Sequence, residues 1–150
     1  MKDEGSLRGM KESGMIVRGK VINGWLGRWL PVAAWMAFIF FLSAQPWLPS
    51  PEEDWLEELL NIAGHFTVYV VLALLVSRAT APDGHLSKWS KILVIGWCAA
   101  YALSDEWHQS FVPGRDASVF DLAVDVLGVL GGLMVYVSRR PNKPVDDVPV

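Results

Sequence analysis

The chain has 150 residues, of which 52% are hydrophobic and 19% charged, with mean hydropathy +0.30 and a formal net charge of −3. That length fits one domain, so little charge is unusual for a soluble one, and the net charge offers nothing to a nucleic-acid backbone. The single cysteine, Cys98, lies in an apolar run, which excludes an intrachain disulfide framework and a thiolate cluster.

In chain order, residues 1–24 are basic and polar and lack helical periodicity, so a flexible cytoplasmic tail is expected there. Residues 29–48 carry no formal charge. A membrane-crossing helix needs roughly 20 apolar residues, and this run is too long for a signal-peptide core, so it reads as a retained span. Pro46, Pro49 and Pro51 end it and open an outer loop, after which Trp55, Leu56, Leu59 and Leu60 alternate with acids as in a short interfacial helix. A second span is expected over 59–76, interrupted by Asn61 and His65. A third, short one runs over 92–104, extended by Trp89 and Lys91. A fourth runs over 119–137 and contains Asp121 and Asp125. Residues 141–150 form a second polar tail. The expectation is an all-α integral membrane bundle of four transmembrane helices over 25–140, flanked by tails 1–24 and 141–150.

Charge sorting orients the bundle. Of the thirteen Lys and Arg residues, all but Arg115 precede the first span, lie between the second and third, or follow the fourth. The other side carries Arg115 among Glu52, Glu53, Asp54, Glu57, Glu58, Asp105, Glu106 and Asp116. The positive-inside rule then makes both termini cytoplasmic. Trp25, Trp29 and Trp89 fall at inner span ends, and Trp47, Trp55 and Trp107 at outer ends, as interfacial indoles do. Trp35 and Trp97 are mid-span and read as packing residues.

The chemistry-bearing stretch runs from Ser104 to Asp116, at the outer end of the third span. On a helix Asp105 and Gln109 share a face, His108 lies beside them, and Glu106 points to a neighbouring face. Pro113-Gly114 is a turn signal that swings Arg115 back over the site. Asp121 and Asp125 share a face with Gly128 and Gly132, whose four-residue spacing marks a close helix-packing seam. His65 and Tyr69 form another one-turn pair, and Gln45 lies at the same depth. Each feature has a plainer reading: solvated helix-end charges at Asp105, Glu106 and His108, a helix-dipole acid at Asp121, and an interhelical hydrogen bond at His65 and Tyr69. Asp125 resists one, because a mid-span acid is costly without a partner. The residue types suit a metal, but their spacing matches no specific metal signature, so neither metal nor cofactor is expected.

Asp105-Glu106-x-His108-Gln109-x-Phe111-Val112-Pro113-Gly114-Arg115, then Ser118, Asp121, Gly128 and Gly132, resembles the VanZ-like family of bacterial membrane proteins, as does the weaker His65-x-x-x-Tyr69. Members often carry an acidic residue and a lysine just before the histidine, where this chain has Asn61 and Ile62. They often carry asparagine in place of Asp125. The resemblance implies a four-helix domain in a bacterial cytoplasmic membrane and an association with teicoplanin resistance, without a settled mechanism.

Three functions compete. In the first, an outward polar site binds a cell-wall precursor, lipid headgroup or glycopeptide, with Arg115 holding an anionic group beside Gln109, His65, Tyr69, Gln45, Asp121 and Asp125. In the second, the site is an intramembrane hydrolase or transferase with His108 as general base and Glu106 or Asp105 orienting it, water being the attacking group. In the third, the polar network only specifies packing. Whether the chain is an enzyme, and its oligomeric state, stay open at this level.

Overall fold

The computed structural model describes residues 4–45, 54–115 and 117–139, and among these the regular structure is entirely helical: α1 (Glu4–Ser43), α2 (Asp54–Thr80), α3 (Lys88–Gln109) and α4 (Val119–Ser138). Three helices contain stretches long and apolar enough to cross a membrane: Gly24–Ser43, Glu58–Thr80 and Val119–Ser138. With 22 residues, α3 extends about 33 Å at 1.5 Å per residue, but Lys88, Lys91, Asp105 and Glu106 dilute its apolar character.

The backbone of α1 is helical from Glu4, so a segment expected to be an irregular tail instead continues the first helix. No proline precedes Pro31, and the Leu, Met, Arg, Lys and Glu residues of this stretch are good helix formers that offset its glycines. The apolar stretch begins at Gly24, and Leu48, Trp47, the proline-rich turn and the tail 141–150 lie outside the described residues. Trp55 and Leu56 belong to the first turns of α2, so the expected interfacial helix is not a separate element.

Short connections make neighbours antiparallel. The 81–87 loop turns at Gly84 (φ 81°), and the loop after α3 turns at Gly114 (φ 80°), a left-handed conformation that glycine adopts without steric cost. Side-chain contacts confirm the directions. Tyr101 donates to the Met36 carbonyl (2.6 Å) and Ser43 to Asp105 (2.8 Å), so α1 and α3 run parallel. Asn61 meets Asp121 and His65 meets Asp125, so α2 and α4 run parallel too. One end of the bundle therefore gathers the C-termini of α1 and α3 with the N-termini of α2 and α4.

The core is small and aliphatic: Val32 and Ile39 of α1, Leu72, Ala73 and Val76 of α2, Val94, Cys98 and Ala102 of α3, and Val129 and Leu133 of α4. Large apolar side chains such as Leu30, Phe41, Leu93, Leu103, Leu127 and Met134 point outward. Such an apolar exterior around a thin core suits a lipid surround, where helices associate by close packing and hydrogen bonds. Trp35 packs as expected, donating its indole N–H to the Val68 carbonyl at 2.9 Å. Trp97 does not. It is 54% exposed and projects from the bundle, because its position on α3 lies to one side of the buried stripe of Val94, Cys98 and Ala102.

Candidate functional site

The seam between α2 and α4 is the tightest in the bundle. A Cβ at Gly128 would collide with the Phe66 carbonyl oxygen, and one at Gly132 with the Val70 carbonyl oxygen. Small residues at this spacing let two backbones touch. Following the seam toward the N-terminal ends, Tyr69 comes first, then His65 opposite Asp125, then Asn61 opposite Asp121. His65 Nδ1 stands 3.0 Å from Asp125 Oδ1, and Asn61 Nδ2 donates to Asp121 Oδ1 at 3.5 Å. Asp125 is fully buried, six residues or about 9 Å into α4.

The α1–α3 seam carries a second polar layer. Ser43 Oγ and Gln109 Nε2 (3.2 Å) both donate to Asp105 Oδ2, and all three residues are buried. Asp105 and Gln109 thus share a face as the spacing predicts. Ser43 is a partner that sequence reasoning missed, because a lone serine at a span end gives no signal of its neighbour. Removing its hydroxyl would leave the buried carboxylate with one donor fewer. Ser43→Ala is expected to destabilise the protein by about 1–2 kcal/mol, read as a lowered melting temperature in detergent.

Glu106 joins the two seams. It sits one position beyond Asp105, so its side chain turns about 100° away, toward α2 and α4. Its Oε2 accepts the backbone N–H of Ser118 at 2.8 Å. Ser118 in turn caps α4, its hydroxyl accepting from the N–H groups of Phe120 and Asp121. Glu106 therefore locks the α3–α4 loop onto the start of α4. Ligand atoms of His65, Glu106 and Asp125 all lie within 4.8 Å of one another.

The remaining candidates stand apart from this centre. His108 stacks on Phe40, with ring centroids 4.1 Å apart, and its buried Nε2 has no partner. Among the described residues no hydrogen bond joins it to Glu106 or Asp105, so the expected pairing of His108 with an orienting acid is not made in this geometry. His65 with Asp125 is the histidine–carboxylate pair that forms. Gln45 turns back to the Phe41 carbonyl of its own helix (3.0 Å) and does not enter the polar layer. Tyr69 is buried 6.4 Å from Tyr101, centroid to centroid. Its hydroxyl has no hydrogen-bond partner, so it does not bond His65. Arg115 is half-buried and reaches the Leu42 carbonyl at the end of α1, at 3.5 Å. Beside these residues a cleft of about 410 Å³ is lined by Phe40, Tyr101, Ser104, Asp105, Trp107, His108 and Phe111.

The VanZ/LLP1 family model matches residues 28–140. The chain belongs to the VanZ/LLP1 family. The match spans all four helices from Arg28 onward, including both polar seams and the glycine seam. No curated protein and no solved structure matches the chain. Within this VanZ/LLP1 chain Asn61, which stands where the resemblance leads one to expect an acid, acts as the donor to Asp121. An acid at that place would face Asp121 as a like charge.

Proposed function

We propose that this VanZ/LLP1 protein crosses the bacterial cytoplasmic membrane four times with both termini inside. Its outward-facing polar end binds the anionic headgroup of a lipid or lipid-linked cell-wall precursor. Arg115 carries the reading: it is the lone cation among acids on that side, and its half-buried guanidinium retains an unpartnered Nε. A cleft at the same end of the bundle combines four aromatic rings with Ser104, Asp105 and His108, a lining suited to an acyl or prenyl chain below a polar group. Guanidinium recognises phosphate and carboxylate through paired N–H donors, which makes it the group to hold such a ligand. Sorting of the other cations to the opposite side supports the orientation, and the length of α3 supports its crossing.

A hydrolytic reading rests on His65 and Asp125, since an imidazole held by a carboxylate can act as a base toward water. His108 and Glu106, with Asp105, supply the alternative base and acid from the sequence motif. Labelled lipid precursors separate the two readings, an altered product favouring hydrolysis and an unchanged bound precursor favouring recognition.

The deciding experiment expresses the chain in a glycopeptide-sensitive Gram-positive host and measures teicoplanin susceptibility beside Arg115→Ala, His108→Ala and Glu106→Gln at matched membrane levels. Protection by the wild type, lost in Arg115→Ala, is the expected result, and in binding of the labelled precursor Arg115→Ala should lose tenfold or more in affinity, as for a charge-assisted contact worth about 1.4 kcal/mol or more. Equal susceptibility with and without the protein would remove the glycopeptide role. Equal precursor binding by wild type and Arg115→Ala would remove the headgroup role.

A further inference from the structure

We infer that His65, Glu106 and Asp125 form a divalent-metal site that takes a borderline first-row cation such as Zn²⁺ or Mn²⁺. Three observations converge on it. One ligand atom from each residue lies within 4.8 Å of the other two. Around a single ion with bonds of about 2.1 Å, neighbouring ligand atoms stand about 3.4 Å apart, so closure needs only small side-chain movements. Both carboxylates are buried, with Asp125 at 0% and Glu106 at 5% exposure, and each uses one oxygen and leaves the other unpartnered: Oδ2 of Asp125 and Oε1 of Glu106.

An unpartnered carboxylate oxygen away from water is costly, and two of them beside one imidazole form an acceptor-rich cluster that a cation satisfies. Among the described residues no lysine or arginine forms an ion pair with either acid. The ligands come from three helices, each already held: His65 on the α2–α4 glycine seam, Asp125 across from it, and Glu106 tied to the Ser118 N–H. One imidazole with two carboxylates is a ligand set suited to Zn²⁺, Mn²⁺ or Fe²⁺, whereas Mg²⁺ and Ca²⁺ prefer oxygen alone. Three protein ligands leave a coordination position free for water or a phosphate oxygen. The inference stands apart from the headgroup reading, because metal binding is measured without any lipid ligand.

The test uses the full-length protein in detergent micelles, stripped with chelator and titrated calorimetrically with Zn²⁺, Mn²⁺ and Mg²⁺. One equivalent of Zn²⁺ or Mn²⁺ should bind at least tenfold more tightly than Mg²⁺. Asp125→Asn and Glu106→Gln should each weaken it tenfold or more, while His85→Ala leaves it unchanged. Glu106→Gln keeps a carbonyl oxygen for the Ser118 N–H, so it preserves the fold while removing a ligand. Wild-type affinity no higher than that of the Glu106→Gln protein would overturn the assignment, as would loss of the site in His85→Ala. Cobalt(II) added to the wild type provides a second readout that needs no variant. A d–d absorption shifted and several-fold more intense than that of the free aqua ion, saturating at one equivalent, supports the site, and a spectrum that stays that of the aqua ion overturns it.

Discussion

Replacing Gly132 by valine is expected to separate α4 from α2 and to destabilise the protein by about 3 kcal/mol or more. The new Cβ would collide with the backbone carbonyl of Val70 and crowd the Cβ of Ala73. A clash with a flexible side-chain tip is relieved by a rotamer change, but a backbone carbonyl inside a helix moves only if the helix moves. The displacement would propagate along the seam, since Gly128 meets the Phe66 carbonyl one turn away and the His65–Asp125 pair lies one turn beyond that. Thermal unfolding in detergent, followed by loss of the monodisperse elution peak, checks this. Gly131→Ala is the internal control. Its Cβ would meet only side-chain atoms, the Phe66 ring at 3.4 Å and Val70 Cγ2 at 3.8 Å, both near ordinary contact distance, so its melting temperature should stay close to that of the wild type. A Gly132→Val protein as stable as Gly131→Ala would show that the seam is looser than the structure indicates.

Removal of His65 alone should cost more than removal of the His65–Asp125 pair. Asp125 is fully buried, and His65 is its hydrogen-bond partner at 3.0 Å. His65→Ala leaves an uncompensated acid inside the bundle, a loss of about 3 kcal/mol. The double variant His65→Leu with Asp125→Leu removes both polar groups together and should recover most of that loss, because well-packed apolar residues replace a buried pair at little net cost. A melting series of the wild type, both singles and the double forms a complete cycle. The coupling is expected to be large and of the sign that makes the double less damaging than the sum of the singles. Additive losses would mean that the two side chains do not interact. If the double variant is stable and yet inactive in precursor binding or resistance, the pair is kept for its chemistry and not for packing.

Much of the architecture can be read from residue order alone. Hydrophobic run length marks the helices, because the hydrocarbon core has a definite thickness and the rise per residue is constant. Three of the four expected spans meet that standard in the structure, and the family suggested by the Asp105–Arg115 motif with Ser118, Asp121, Gly128 and Gly132 is the one whose model matches residues 28–140. The four-residue spacing of Gly128 and Gly132, and the shared face of Asp105 and Gln109, are also visible locally, because helical periodicity assigns each residue to a face.

Periodicity does not say what a face meets, and the tertiary structure decided that. Nothing local distinguishes Tyr69 or Gln45 from His65 as a partner for Asp125. The choice depends on which turn of α2 the glycine seam brings level with which turn of α4. Ser43 is an ordinary serine until the parallel course of α1 and α3 sets it against Asp105. Glu106 and His108 are two residues apart and so point to different faces. Packing sends the first to Ser118, His65 and Asp125 and the second to Phe40. The sequence by itself determined an all-helical, membrane-compatible chain of this family and the polar residue types available to it. Only the packing of four helices, with backbone contact at two glycines as its closest point, decided which of those residues stand within reach of one another.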